Sequence, residues 1–196
     1  MLYRFGQSIL SLLFNTIYDI KIIGDENLPK SGAVIVCANH ISALDPVLLG
    51  VFLRRPICFM AKHELFDIKL FGFIITKLGA FPVNRDAVEI TTLKKALEVL
   101  KSGQVMGIFS QGGRLDTVNE DEGKAGVALF AVKSGAPVVP VGIKGSFKPF
   151  SRLTVSIGKP MSFKEYEGQK LRTPELSKLT KEIMVEVKKL AEQKLL

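Results

Sequence analysis

Short apolar runs alternate with amphipathic stretches along most of this chain, and that alternation restricts its fold more than any other feature. Residues 19–24, 33–38, 56–61, 79–83, 105–109, 138–143 and 153–157 read as strands, rich in Val, Ile and Phe and bounded by Gly, Pro, Asn and Ser. Helical spacing fills the intervals: from residue 46 to about 53, then 64–78, 87–101 and 124–134, with a last amphipathic helix starting near 173–175. Strands that alternate with helices imply an α/β fold, with a largely parallel central sheet flanked by helices. A chain of 196 residues suits one such domain, here placed over 19–196. In sheets of this kind ligands gather at the carboxyl ends of the strands.

One strand end stands out. The apolar run 33–38 leads into Asn39-His40-Ile41-Ser42-Ala43-Leu44-Asp45-Pro46. A histidine there, with a carboxylate five residues on, is a candidate general base with its orienting partner. On one straight helix that spacing turns the two side chains about 140° apart. A strand end, a tight turn and a new helix can bring them together. Asp45-Pro46 supplies the helix start, because Pro suits the first helical position and Asp the position before it. Asp45 therefore has two readings at this level, helix cap and partner of His40.

Other strand ends carry cations. Lys62, Arg85 and Arg114 each follow a predicted strand, so the topology is expected to bring them to one edge with His40. Guanidinium groups bind phosphate through paired, charge-assisted hydrogen bonds. Gln111-Gly112-Gly113 offers close-approaching backbone amides suited to a phosphate or an oxyanion. It lacks the Gly-Lys-Ser/Thr ending of a Walker loop. No Gly-x-Ser-x-Gly elbow occurs, which argues for direct attack by a substrate hydroxyl on an activated acyl group. Cys37 and Cys58 form no CxxC or Cys/His cluster, so neither a zinc site nor a redox pair is indicated. His63 would point away from Lys62 if the strand continued, and receives no role.

Lys and Arg outnumber Asp and Glu by 27 to 19, a net charge of +8 that suits an anionic partner. Nucleic acid is not indicated, since the aromatics lie within apolar runs and no basic stripe interleaves with them. Apolar residues make up 47% of the chain, yet no run of about 18 spans a bilayer. Residues 1–18 read as an amphipathic helix: Leu2, Phe5, Ile9, Leu12, Leu13 and Ile17 recur at helical spacing, opposite Arg4, Gln7, Ser8, Ser11 and Asn15. It can pack on the domain or lie in a membrane interface. The 64–78 stretch is apolar all round, so it is either deeply buried or in contact with lipid. No cleavable signal pattern is evident at the start.

At these residues the chain resembles the 1-acylglycerol-3-phosphate (lysophosphatidic acid) acyltransferase family over about residues 20–165. Asn39-His40-x4-Asp45 resembles the family's catalytic block. Ala61-Lys62-His63-Glu64-Leu65 resembles the stretch that holds a substrate-binding lysine. Gly79-Ala80-Phe81-Pro82-Val83-Asn84-Arg85 is similar to the block whose arginine faces the acceptor phosphate. Phe109-Ser110-Gln111-Gly112-Gly113-Arg114 is similar to a third block, usually Phe-Pro-Glu-Gly-Thr-Arg, with Ser110, Gln111 and Gly113 as departures. Pro137-Val138-Val139-Pro140-Val141 resembles the fourth. The resemblance implies that Asp45 orients His40 as base, while Lys62, Arg85, Gln111, Gly112 and Arg114 hold the acceptor phosphate and glycerol. It implies acyl transfer from acyl carrier protein or acyl-CoA to the sn-2 hydroxyl of a lysophospholipid. No metal or prosthetic group is implied. The expected setting is the cytoplasmic face of the cell membrane, with residues 1–18 docked on the lipid. Another lysolipid acceptor, or a non-catalytic lipid-binding homologue, is the alternative.

Overall fold

The computed structural model describes residues 2–83, 90–110 and 126–193. Its strands are β1 (Asp19–Ile23), β2 (Val34–Ala38), β3 (Ile57–Lys62), β4 (Phe81–Val83), β5 (Val105–Phe109), β6 (Val138–Gly145) and β7 (Arg152–Ile157). Its helices are α1 (Leu2–Ile17), α2 (Asp45–Phe52), α3 (Lys69–Lys77), α4 (Ile90–Lys101), α5 (Gly126–Ser134) and α6 (Thr173–Glu192). The seven strands make one sheet in the order β1-β7-β6-β2-β5-β3-β4. β6, β2, β5, β3 and β4 run parallel, whereas β7 pairs antiparallel with β6 and carries β1 parallel to itself.

All five residues of β2 are buried, as a central parallel strand covered on both faces requires. Ile35 and Cys37 face one layer, with α4, α5 and α6 packed on it through Ala96, Phe130 and Ile183. Val34, Val36 and Ala38 face the other, where α1 and α2 contribute Phe14, Leu48 and Leu49. The period-two alternation thus divides the apolar residues of one strand between two cores. α1 is held on α2 by a polar contact as well: Gln7 Nε2 donates to the Val51 carbonyl at 2.8 Å.

Two neighbouring strands send the chain in opposite directions. β2 continues through α2 to β3, on the far side of β5. β5 is followed by α5 and then β6, on the far side of β2. The two helices lie on opposite faces, so a crevice opens at the carboxyl ends of β2 and β5.

The 64–78 stretch is not one helix. β3 runs on to Lys62, a single 3₁₀ turn follows at His63–Leu65, and α3 starts at Lys69. A strand that ends at the sheet edge must reverse its chain before a helix can return along it, and residues 63–68 are spent on that reversal. α3 is not deeply buried either, since Phe73 stays 62% exposed. α6 begins where Thr173-Pro174-Glu175 indicates, with Glu175 Oε2 accepting the Arg172 backbone amide at 2.7 Å.

Candidate active site

The crevice between β2 and β5 receives its side chains from the turn that leaves β2. Asn39 is the first residue past the strand, and it is buried. Its carboxamide binds the backbone of Ile143 in β6 at both ends: Nδ2 donates to the carbonyl at 2.9 Å, and Oδ1 accepts the amide at 2.7 Å. A side chain here imitates the next rung of the β2–β6 ladder. The turn that carries His40 therefore starts from a fixed point.

His40 is buried, and its Nδ1 lies 2.7 Å from Asp45 Oδ2. The same oxygen accepts the backbone amides of Ile41 and Ser42, each at 2.7 Å. Asp45 is wholly buried and is the first residue of α2. Leu44 holds the cap position, and no side chain caps the helix there. The cap reading of Asp45 is thus replaced by another structural task. Its carboxylate reaches backwards and pins the turn 41–44, while its negative charge still sits favourably in the first turn of the helix. One oxygen serves both turn and imidazole. Because the carboxylate accepts at Nδ1, that nitrogen carries the proton and Nε2 is left as the basic one. Asp45 Oδ1 is buried with no hydrogen-bond partner among the described residues.

Three rings line up at the site, one from the turn that follows β2 and two from the neighbouring strands β5 and β3. The His40 ring stacks on Phe109 with centroids 4.2 Å apart and planes 23° apart. Phe109 in turn stacks on Phe59 of β3 at 5.8 Å. Gly107 makes room for this, because a Cβ there would meet the Phe59 ring at 2.5 Å. On the other face of the sheet, Cys37 Sγ and Ser110 Oγ lie 3.2 Å apart where the chain leaves β5. Burial raises the Cys37 thiol to about 11, so it stays protonated and unreactive at neutral pH.

Lys62 is the last residue of β3 and is half-exposed, with its Nζ 2.6 Å from Glu64 Oε1. That hydrogen bond holds the Glu64 carboxyl below its ordinary range. Lys62 pairs in register with Val83, the end of β4, at the same edge as the ends of β2 and β5. Arg85, Gln111, Gly112 and Arg114 lie outside the described residues. His63 is exposed, 3.9 Å from Asp67, and away from the His40 couple in the chain and in partners. Among the described residues no group of three His, Cys, Asp or Glu side chains is placed to hold a metal ion.

A family model described as Acyltransferase matches residues 19–144. The 1-acyl-sn-glycerol-3-phosphate acyltransferase of Bacillus subtilis is 31% identical over 167 residues, covering 82% of this chain and 82% of that one. The chain belongs to this acyltransferase family. The enzyme of the same name from Borreliella burgdorferi is 34% identical over 126 residues, which is 62% of this chain but half of that one. The crystal structure of the 1-acyl-sn-glycerophosphate acyltransferase from Thermotoga maritima matches with a TM-score of 0.69 at 28% identity, over 99% of this chain and 80% of that chain. The α/β architecture and the enzyme class expected from the sequence both follow from these matches.

Within this acyltransferase, two contributors to the site went unread in the sequence. Asn39 and Phe109 are quoted in the motifs without a task. Asn39 could have been suspected, since an amide residue buried right after an apolar strand must find backbone partners. Nothing local signals the Phe109 stack, which depends on the β2–β5 register that sets Ala38 beside Phe109.

Proposed function

We propose that this acyltransferase moves a fatty acyl group from an acyl thioester, carried by acyl carrier protein or CoA, to the free sn-2 hydroxyl of 1-acylglycerol-3-phosphate. The product is phosphatidic acid. His40 Nε2 takes the hydroxyl proton, and the alkoxide attacks the thioester carbonyl. The tetrahedral intermediate collapses, the C–S bond breaks, and the imidazolium gives its proton to the departing sulfur, which leaves as the thiol and restores neutral His40. Asp45 acts through His40, fixing its tautomer and stabilising the cation. Lys62, Arg85 and Arg114 hold the acceptor phosphate, and Gln111 and Gly112 its glycerol. The reaction so written calls for no metal or prosthetic group. The observation that carries the reading is the buried 2.7 Å His40–Asp45 pair at the crevice between β2 and β5, in a chain of this family.

Both substrate and product of this reaction live in a bilayer. No helix among the described residues is long and apolar enough to cross one. α1 nevertheless turns Ile9, Leu12 and Leu13 outward, Leu12 being 70% exposed, while Phe14 faces the core. In this reading α1 docks on the cytoplasmic face of the membrane through that outer side, and the net charge of +8 favours anionic lipid.

The test is acyl transfer to lysophosphatidate by the purified protein, from acyl carrier protein and from CoA, beside His40→Ala. Equal rates in the two proteins would remove the catalytic assignment. Gln111 stands where the family pattern has Glu, which favours a second reading in which the acceptor is a different lysolipid. A panel of lysolipid acceptors separates the two.

A further inference from the structure

Phe150 is placed where folding gains little from it. It lies in the connection between β6 and β7 and is 86% exposed. Its φ of +62° makes it the one non-glycine residue with positive φ among the described residues. The left-handed conformation disfavours a residue with a Cβ, and a bulky aromatic most of all. A large apolar ring held in solvent on a strained backbone opposes stability twice, which points to a task outside the fold.

The location suggests the task. β6 runs parallel to β2, so its carboxyl end and the 146–151 connection lie at the edge of the sheet that carries His40. Asn39 already touches β6 two residues before it ends. The Phe150 amide donates to the Ile17 carbonyl at 2.7 Å, which fastens the turn to the last turn of α1. Phe150 thus stands beside the C-terminal end of α1, at the active-site edge, and α1 also turns Ile9, Leu12 and Leu13 outward. Residues 144–152 include Lys144, Lys148 and Arg152. Arg152 is paired with Asp19, and Lys144 donates to the carbonyls of Glu192 and Gln193, which leaves Lys148, two residues from the ring, as the cation of this connection that can meet a headgroup. An aromatic ring beside a lysine suits an interface of acyl chains and anionic headgroups.

We propose that Phe150 is a second membrane anchor, inserting into an anionic bilayer beside α1 and turning the His40 edge toward the lipid. The proposal rests on the reading that α1 docks on a membrane. The chain has no tryptophan, so Phe150→Trp makes a single-tryptophan protein. With vesicles of phosphatidylglycerol and phosphatidylcholine, its emission is expected to shift to the blue and to be quenched by brominated acyl chains. Tyr166→Trp, on the connection between β7 and α6, is expected to do neither. Phe150→Gly relieves the backbone and removes the ring, so its melting temperature is expected to hold or rise while vesicle affinity falls roughly tenfold. A drop in melting temperature for Phe150→Gly would overturn the proposal, because the ring would then serve the fold. If the wild type binds vesicles and Leu12→Ser weakens it, while Phe150→Trp stays unshifted, Phe150 is not an anchor and α1 docking stands. If the wild type does not bind vesicles, the docking reading fails and this proposal fails with it.

Discussion

Asp45 Oδ2 lies 2.7 Å from His40 Nδ1 and equally close to the amides of Ile41 and Ser42, so one carboxylate oxygen joins the base to the turn that carries it. Two substitutions separate these tasks. In Asp45→Asn the side-chain oxygen can still accept all three hydrogens, but the charge that stabilises an imidazolium is gone. Acyl-transfer kcat is expected to fall by about 10² to 10⁴. Asp45→Ala also leaves two partly buried amides without an acceptor, at a cost of about 1–3 kcal/mol. Denaturant melts run beside the kinetics should therefore place Asn well above Ala in stability and near it in rate. An Asp45→Asn enzyme within threefold of wild-type kcat would show that the charge has no part in the reaction.

Asn39 is expected to behave as a structural clamp with a kinetic consequence. Asn39→Ala strips both the donor and the acceptor from Ile143, two buried backbone groups of a central strand. The loss is about 2–3 kcal/mol, read from chemical denaturation. Asn39→Asp keeps an acceptor for the Ile143 amide but sets a carboxylate against its carbonyl, so it should be no better than Ala. Both variants release the start of the 40–44 turn, and kcat should fall more than KM rises. Wild-type stability in Asn39→Ala would contradict the clamp.

These two residues show what the sequence could and could not disclose. The His40–Asp45 couple was readable because strand, turn and helix signals follow one another within 14 residues of sequence, 33 to 46. Its partners were not, because Ile143 lies 104 residues from Asn39 and only the sheet order brings them together. The parallel core was readable from its all-apolar strands, and β7 running against β6 was not, since a buried apolar strand looks alike in either direction. Which side of α1 faces outward was left open by the sequence. The sequence stripe at Ile9, Leu12 and Leu13 faces solvent, and Gln7 from the polar set faces α2. A helix with apolar residues on two sides offers two candidates for its buried face, and only tertiary packing chooses between them.

Gly107 ties the aromatic stack to a backbone position. In Gly107→Ala the new methyl group falls 2.5 Å from two carbons of the Phe59 ring, on a strand pair that cannot separate without losing ladder bonds. Overpacking of this kind costs about 1–3 kcal/mol. Moving Phe59 also disturbs Phe109 and, through it, the His40 ring. A double-mutant cycle with Phe59→Leu checks the route, because the smaller side chain relieves the contact. The two changes together should cost less than the sum of their separate effects, with a coupling of about 0.5–3 kcal/mol. Strict additivity would mean that Gly107 acts elsewhere.

Cys37 gives the fold an alkaline weakness of known sign. Its buried thiol titrates near 11 in the folded protein against an ordinary value of 9.0, because burial disfavours the thiolate more than the Ser110 contact favours it. Below pH 9.0 both folded and unfolded chains hold the proton, and the thiol adds no pH dependence. Between 9.0 and about 11 the unfolded chain releases a proton that the folded chain keeps, so stability falls as pH rises. Lysines and tyrosines titrate in the same range, and a difference measurement removes them. Wild type and Cys37→Ala are compared by denaturant unfolding at several pH values from 8 to about 11. The wild-type curve should descend more steeply above pH 9, and the two curves should run parallel below it. Thiol labelling provides a second readout: Cys37 should resist alkylation at pH 8 in the folded protein and react once it is unfolded. Parallel curves over the whole range would show that the Cys37 thiol titrates alike in both states.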